Sequence, residues 1–419
     1  MKRVQLPPGL ETVCFVLGEN VYQDIPEILK THFPGRRPWI VADENTWRAA
    51  GEAVYKVLEA PHLPYIYPAE PQLHADYGVV PLLAQQMPSD AVPVAVGGGT
   101  INDIVKRLSG EAGISYLCVP TAPSVDGYSS SGAAMTKDGL KQTLKCPAPK
   151  AIVADVGVLR ASPAEMKAAG YADLFAKLPA GAEWLIADTL GIEPVRQDVW
   201  HLIQPPLKKW LSDAGNMDHI FTGLAATGYA MQLYNDSRPA SGMEHLCSHV
   251  WEMEGVEASH GFKVSVGTIA SAWLHEKLFS LPVEELKKLM PPPKSRQEKE
   301  AEADELLKRG VYGNAKEIAM AKFPEPAETL LRREMICANW DTLCKRVKEQ
   351  LLPFEEIRTM LKKANCPTTP AEIGLVPGQF IHGIKTAQLI RKRYTLLDLL
   401  EECGIMDIML KKLAAELGE

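Results

Sequence analysis

The chain predicts an α/β N-terminal domain built on a mainly parallel, doubly wound sheet, followed by an all-helical C-terminal domain. Three observations carry this expectation. Short apolar runs alternate with helical stretches over residues 1–160. Long amphipathic patterns take over across 161–419, where convincing strands disappear. Finally, 419 residues, 46% hydrophobic and 23% charged, suffice for two sizeable cores.

Six candidate strands run in order through the first part: 12–18 (TVCFVLG), 38–43 (PWIVAD), 65–68 (YIYP), 92–98 (VPVAVGG), 115–120 (SYLCVP) and 151–159 (AIVADVGVL). Most end at Gly, Pro or Asp, the usual turn residues. Helical stretches lie between them, at 21–33, 75–87 and 101–110. In such a sheet ligands gather at the carboxyl ends of the strands. The second part reads as helices at 163–178, 182–191, 224–234, 267–279 and one long pattern over 329–351. Residues 291–308 open with three prolines and continue charged, which predicts a mobile loop leading into an exposed helix.

A net charge of −7 argues against a nucleic-acid surface, which needs a basic face. The 8 cysteines are scattered without a CxxC pair, as expected for free thiols in a reducing compartment. No apolar core follows the first basic residues and no run reaches the length of a membrane span. The expected location is the cytoplasm, and the expected partner is a small-molecule substrate.

At 92–106 a buried strand meets three glycines and then a helix. Glycines let backbone N–H groups approach a phosphate, and a helix N-terminus favours its charge. Neither GxGxxG nor the Lys-Ser/Thr of a P-loop is present. A tight turn without a ligand is the alternative. Asp43, ending an earlier strand, is placed to bind an adenosine ribose or simply to cap the next helix. An acid there repels a 2′-phosphate and leans towards NAD(H) over NADP(H).

The next strand runs into a polar loop carrying Thr121, Ser124, Asp126, Ser129 and Ser130. Its hydroxyls and amides suit a pyrophosphate or nicotinamide amide, and Asp126 suits substrate hydroxyls. Self-bonded Asx and ST turns are the alternative. Sharing a sheet edge with the glycine turn favours function.

His245 and His249 are spaced to share one helix face, and His260 follows eleven residues after His249. Two imidazoles and a carboxylate with one open position suit a catalytic divalent metal. Asp173, in a helix rich in small residues, is the best carboxylate candidate. Cys247 faces away from His245 on a helix and is set aside. Glu244 is a rival carboxylate for supporting the ligands. Any one of these histidines, taken alone, is more often a packed or capping imidazole.

Taken in order, GGGTIND, PTAPSVDGYSSSG, AGYADLFAK, SRPASGMEHLCSH and HG resemble the sn-glycerol-1-phosphate dehydrogenases. These lie within the iron-containing alcohol dehydrogenase and dehydroquinate synthase-like superfamily. The resemblance spans roughly 10–280, and PTAPSVDGYSS and SRPASGMEH are its most specific parts.

The resemblance implies a dehydroquinate synthase-like fold: a dinucleotide domain, 1–160, and a helical metal- and substrate-binding domain, 161–419, with the site in the cleft. It implies Asp173, His245 and His260 as metal ligands, and Asp126, Asp173 and His249 as substrate contacts. Asp173 and His249 would be catalytic. Gly98, Gly99, Thr100, Ile101, Asn102, Asp103, Thr121, Ala122, Pro123, Ser124 and Ser130 would contact the dinucleotide, with Asp43 on its ribose. The implied reaction is NAD(P)H-dependent reduction of dihydroxyacetone phosphate to sn-glycerol 1-phosphate. The metal would be zinc or nickel, with iron a further choice, and the assembly a homodimer or larger homo-oligomer. Glycerol or another polyol as substrate, or a non-catalytic binding protein, are the alternatives. Arg238 and Lys263 are candidates for the substrate phosphate, and Lys106 for support of the cofactor loop.

Overall fold

The computed structural model describes residues 2–137 and 140–417. It divides into two compact units, Met1–Leu174 with Pro205–Asp236, and Phe175–Gln204 with Ser237–Glu419.

The first unit is built on strands β1 (Lys2–Arg3), β2 (Cys14–Gly18), β3 (Arg37–Asp43), β4 (Tyr65–Tyr67), β5 (Ala91–Gly97), β6 (Leu117–Pro120), β7 (Ala133–Lys137), β8 (Leu140–Leu144) and β9 (Ala151–Asp155). Seven of them form one sheet in the order β1-β2-β9-β6-β5-β3-β4. All its pairings are parallel except that of β1 with β2. Helices cover such a sheet on both faces, so its central strands read as unbroken apolar runs. Every residue of β5 and of β9 is buried accordingly. On one face Val16, Ile40, Val94, Val119 and Val153 pack with Ile25, Ile28 and Val54 of the covering helices.

Register decides where the site lies. Gly97 at the end of β5 pairs with Pro120 at the end of β6, and Thr121 N donates to Gly97 O at 3.1 Å. The glycine turn and the polar loop therefore leave the sheet side by side, at its carboxyl edge.

All six expected strands are present. The last is shorter than expected. It stops at Asp155, whose carboxylate accepts from Gly157 N and Val158 N and so caps a helix over Val156–Ala161. The antiparallel pair β7–β8 was not foreseen in the sequence.

Among the described residues the second unit contains helices and no strand. Helix Met243–Met253 packs against helix His260–Phe279, and a Cβ at Gly267 would lie 2.5 Å from the Glu244 carbonyl oxygen. Only glycine permits that approach. The long pattern at 329–351 is two helices, Pro326–Ala338 and Trp340–Gln350, separated at Asn339. Buried Trp340 turns its indole N–H to Leu281 O at 2.9 Å, which anchors the break. After the three prolines, Ser295 and Glu298 form a capping box for helix Arg296–Leu306.

Candidate active site

Gly98 is the N-cap of helix Gly99–Ala112, so Gly99, Thr100, Ile101, Asn102 and Asp103 form its first turns. The three glycines serve different ends. A Cβ on Gly97 would strike Ile101 Cβ at 2.5 Å, and one on Gly99 would meet Val125 at 3.0 Å. A Cβ on Gly98 would meet nothing within 4 Å. Gly98 thus offers bare backbone beside a helix N-terminus, the cradle a pyrophosphate needs. Ile101 is buried beneath the turn. Asn102 is buried too, its Oδ1 accepting from Tyr116 OH at 3.0 Å. Asp103 Oδ2 accepts from Ala134 N at 3.2 Å.

Lys106, on the same helix, has no exposed side-chain area. Its ammonium donates to Gly127 O at 2.6 Å and Gly132 O at 3.0 Å. Two charge-assisted bonds thus tie both arms of the polar loop to the glycine-turn helix. Asp126 to Tyr128 form a 3₁₀ turn in this loop. Ser124 Oγ lies 3.2 Å from Tyr128 OH, which donates to Ala122 O at 2.7 Å. Burial pushes the Tyr128 phenol up. Ser130 Oγ donates to Gly127 O at 3.1 Å and Ser129 Oγ to Ala225 O at 2.8 Å. Ser130 thus braces the loop from within, whereas Ser129 ties it to helix Met217–Tyr234. Pro123 lies on helix Ala164–Phe175, where a Cβ on Gly170 would overlap the Pro123 carbonyl.

Asp43 forms a full capping box with Thr46, its Oδ1 accepting from Thr46 N at 2.8 Å. At least one of its oxygens therefore serves the chain itself.

Asp173 is fully buried on helix Ala164–Phe175, and its Oδ2 accepts the Asp126 amide at 2.8 Å. His245 lies on helix Met243–Met253 and His260 begins helix His260–Phe279; their rings are 5.4 Å apart. His249 stacks on His260 at 5.9 Å. The ligand atoms of Asp173, His245 and His260 all lie within 4.8 Å of one another. Among the described residues no other set of three His, Cys, Asp or Glu does so. One carboxylate and two imidazoles fit a divalent cation of intermediate softness. Cys247 is fully buried, and burial followed by the charge of Glu244 raises its thiol, against a thiolate ligand.

Three buried groups support the histidine helix, and one of them was missed in the sequence. Glu183 Oε2 accepts from Met243 N at 3.0 Å. Burial, and then the charge of Glu244, raise the Glu183 carboxyl well above the ordinary range. Glu244 sits below its ordinary value: burial would raise it, but the hydrogen bond and charge of His245 outweigh burial. Arg238, proposed above for phosphate, is 1% exposed and donates to Tyr394 O at 2.9 Å and Glu183 O at 3.1 Å. It braces this region of the unit. Lys263 lies 3.8 Å from Glu252 and donates to Val256 O at 3.3 Å. A lone Glu in an apolar helix, as in AGAEWLIAD, was the signal available for Glu183.

Comparison with known proteins decides the family. Residues 16–163 match the model of the iron-containing alcohol dehydrogenases. A glycerol-1-phosphate dehydrogenase (NAD(P)+) of Geobacillus stearothermophilus is 32% identical over 410 residues, 92% of each chain. This chain belongs to the glycerol-1-phosphate dehydrogenase family. A family member from Pyrococcus horikoshii is 30% identical over 270 residues, covering 62% of this chain and 78% of its own. The fold is that of glycerol dehydrogenase from Schizosaccharomyces pombe, with a TM-score of 0.60 at 14% identity over 100% of this chain and 94% of that one. Maleylacetate reductase of Agrobacterium tumefaciens gives 0.59 at 13% identity over 100% of both chains. As a member of the family the chain is an oxidoreductase that uses NAD(P) and a metal. No helix among the described residues is long and apolar enough to cross a membrane.

Proposed function

We propose that the chain catalyses the reversible NAD(P)H-dependent reduction of dihydroxyacetone phosphate to sn-glycerol 1-phosphate. The observation that carries this is similarity along 92% of the chain to an enzyme named for that product. The donor set of Asp173, His245 and His260 supports it.

Residues 1–160 are assigned to the dinucleotide and 161–419 to metal and substrate. Gly98 admits the pyrophosphate; Gly99 to Asp103, Thr121 to Ser124 and Ser130 form its surroundings, and Asp43 contacts the ribose. Asp173, His245 and His260 hold the metal, zinc or nickel with iron a third choice. When bound, the ion supplies Lewis-acid polarisation of the substrate carbonyl, and the nicotinamide supplies hydride. The chain's own work is to orient and to protonate. Asp126 binds the substrate hydroxyl from a loop held by Lys106. His249, stacked on His260, gives a proton from its imidazolium form to the product oxygen and is left as neutral imidazole. All eight cysteines are free thiols, which supports a cytoplasmic location. Assembly as a homodimer or larger homo-oligomer belongs to the same proposal.

The test mixes purified, metal-replete protein with NADH and dihydroxyacetone phosphate, with a chelator-treated control and a chiral assay of the product. Chelator-sensitive NADH oxidation yielding the sn-1 product is expected. Oxidation of glycerol with NAD+, without turnover of the phosphate ester, would move the function to polyol oxidation.

A further inference from the structure

The metal-ligand histidines are themselves held, and the means differ. The ring of His260 has a hydroxyl at Nδ1, Ser248 Oγ at 3.4 Å. His245 has a carboxylate: its Nδ1 lies 2.8 Å from Glu244 Oε1. Neutral imidazole carries one N–H, so an ionised acceptor at Nδ1 fixes that proton there and leaves the Nε2 lone pair for a metal.

Glu244 is a costly residue to place here. Its side chain has no exposed area. Three features keep it in position. It lies in the first turn of helix Met243–Met253, where the helix field favours an anion. Its Oε1 also accepts from Gly242 N at 2.6 Å. Gly242 and Gly267 let neighbouring groups close on it: a Cβ at Gly242 would lie 2.8 Å from Glu244 Oε2, and one at Gly267 would lie 2.9 Å from Glu244 Cα. An ordinary cap needs none of this enclosure, because a partly exposed Ser or Asp caps equally well.

We propose that Glu244 is a positioning residue for the metal, acting through His245: it fixes the Nδ1–H tautomer and ring orientation and makes Nε2 a stronger donor. This rests on the reading of His245 as a ligand. Carboxylate partners of this kind change metal affinity by about 10–100-fold.

The experiment measures Zn2+ affinity of the full-length protein by chelator competition, for wild type, Glu244→Gln and His245→Ala. The absorption of Co2+-loaded protein is recorded for each, with NADH binding as a control of folding. Glu244→Gln is expected to bind Zn2+ about 10–100-fold more weakly, shift the Co2+ bands, keep its NADH affinity, and regain turnover at saturating Zn2+. Wild-type Zn2+ affinity in Glu244→Gln, alongside lost binding in His245→Ala, overturns the role of Glu244 alone. Wild-type affinity in His245→Ala instead overturns the metal site on which it rests. If Glu244→Gln does not fold, 15N NMR of histidine-labelled, metal-free wild type decides. The Nδ1–H tautomer at His245 is expected, and Nε2–H would overturn the proposal.

Discussion

The backbone amide of Asp126 donates to Asp173 Oδ2 at 2.8 Å. One hydrogen bond thus joins the loop assigned to substrate with the carboxylate assigned to metal. Asp173 is fully buried, so its charge requires compensation, and the Asp126 amide is one source of it. Replacing the carboxylate by an isosteric amide keeps the shape and removes the charge. Asp173→Asn is therefore expected to lose its metal and at least about 100-fold in turnover, more than the loss of a supporting partner costs. Metal content and turnover measured on the same sample check it. Near-wild-type turnover with full metal content would sink the assignment.

The same loop is pressed onto helix Ala164–Phe175 at Gly170, where a Cβ would overlap the Pro123 carbonyl. Backbone cannot yield as a flexible side chain does. Gly170→Ala is expected to destabilise the protein by about 1–3 kcal/mol, the usual cost of overpacking. It should also raise KM for the substrate, because the loop must shift. Thermal melting and steady-state kinetics test both, and an unchanged melting temperature would show that Gly170 and the Pro123 carbonyl are not in contact.

Lys106 holds the loop from the other side. Lys106→Met keeps most of the buried stem and removes the bonds to Gly127 O and Gly132 O. Two carbonyls would lose a charged donor, each bond being worth about 1.5–3 kcal/mol. We expect clear destabilisation with weaker NADH binding, since the loop and the glycine turn share this anchor. Lys106→Arg should not rescue it: a planar guanidinium does not fit where a compact ammonium is wholly enclosed. Denaturant titration and NADH fluorescence give the readouts.

Much of the fold was legible because its signals are local. Parallel strands buried on both faces read as apolar runs, and their ends fell at residues with turn chemistry, as at Gly97 and Pro120. The overrun of the last strand has a plain cause: VGVL continues the apolar run, and only the Asp155 cap ends the strand. The β7–β8 pair was hidden because Ala133–Lys137 lacks a strict alternation. For the candidate site, spacing and clustering singled out His245, His249 and His260 as candidates, and the resemblance supplied the roles proposed for them. Glu244, next to His245 in the chain, was legible as a supporting carboxylate, but the group that holds the start of their helix is set by tertiary packing. Glu183 lies 60 residues from Met243, whose amide it accepts, and no spacing rule connects the two.

Glu183 leads to a prediction with a definite sign. Burial and then the neighbouring Glu244 charge raise its carboxyl well above the ordinary value of 4.5, so the folded protein holds a proton that the unfolded chain releases. Below the ordinary value both states are protonated, and the contribution of this group to stability is fully present. As pH rises beyond it, the unfolded chain ionises first and stability falls, until the raised folded-state value is passed and the contribution is lost. Glutamine mimics the neutral acid, and its amide oxygen can still accept from Met243 N. Glu183→Gln is therefore expected to fold and to melt closer to wild type in acid than in base. Its advantage over wild type should grow as the pH is taken upward from the ordinary glutamate range. Melting temperatures of both proteins across that range measure it directly. A difference that stays constant with pH would mean that Glu183 is ionised in the folded state, with its charge balanced by Arg238, whose guanidinium donates to its backbone carbonyl.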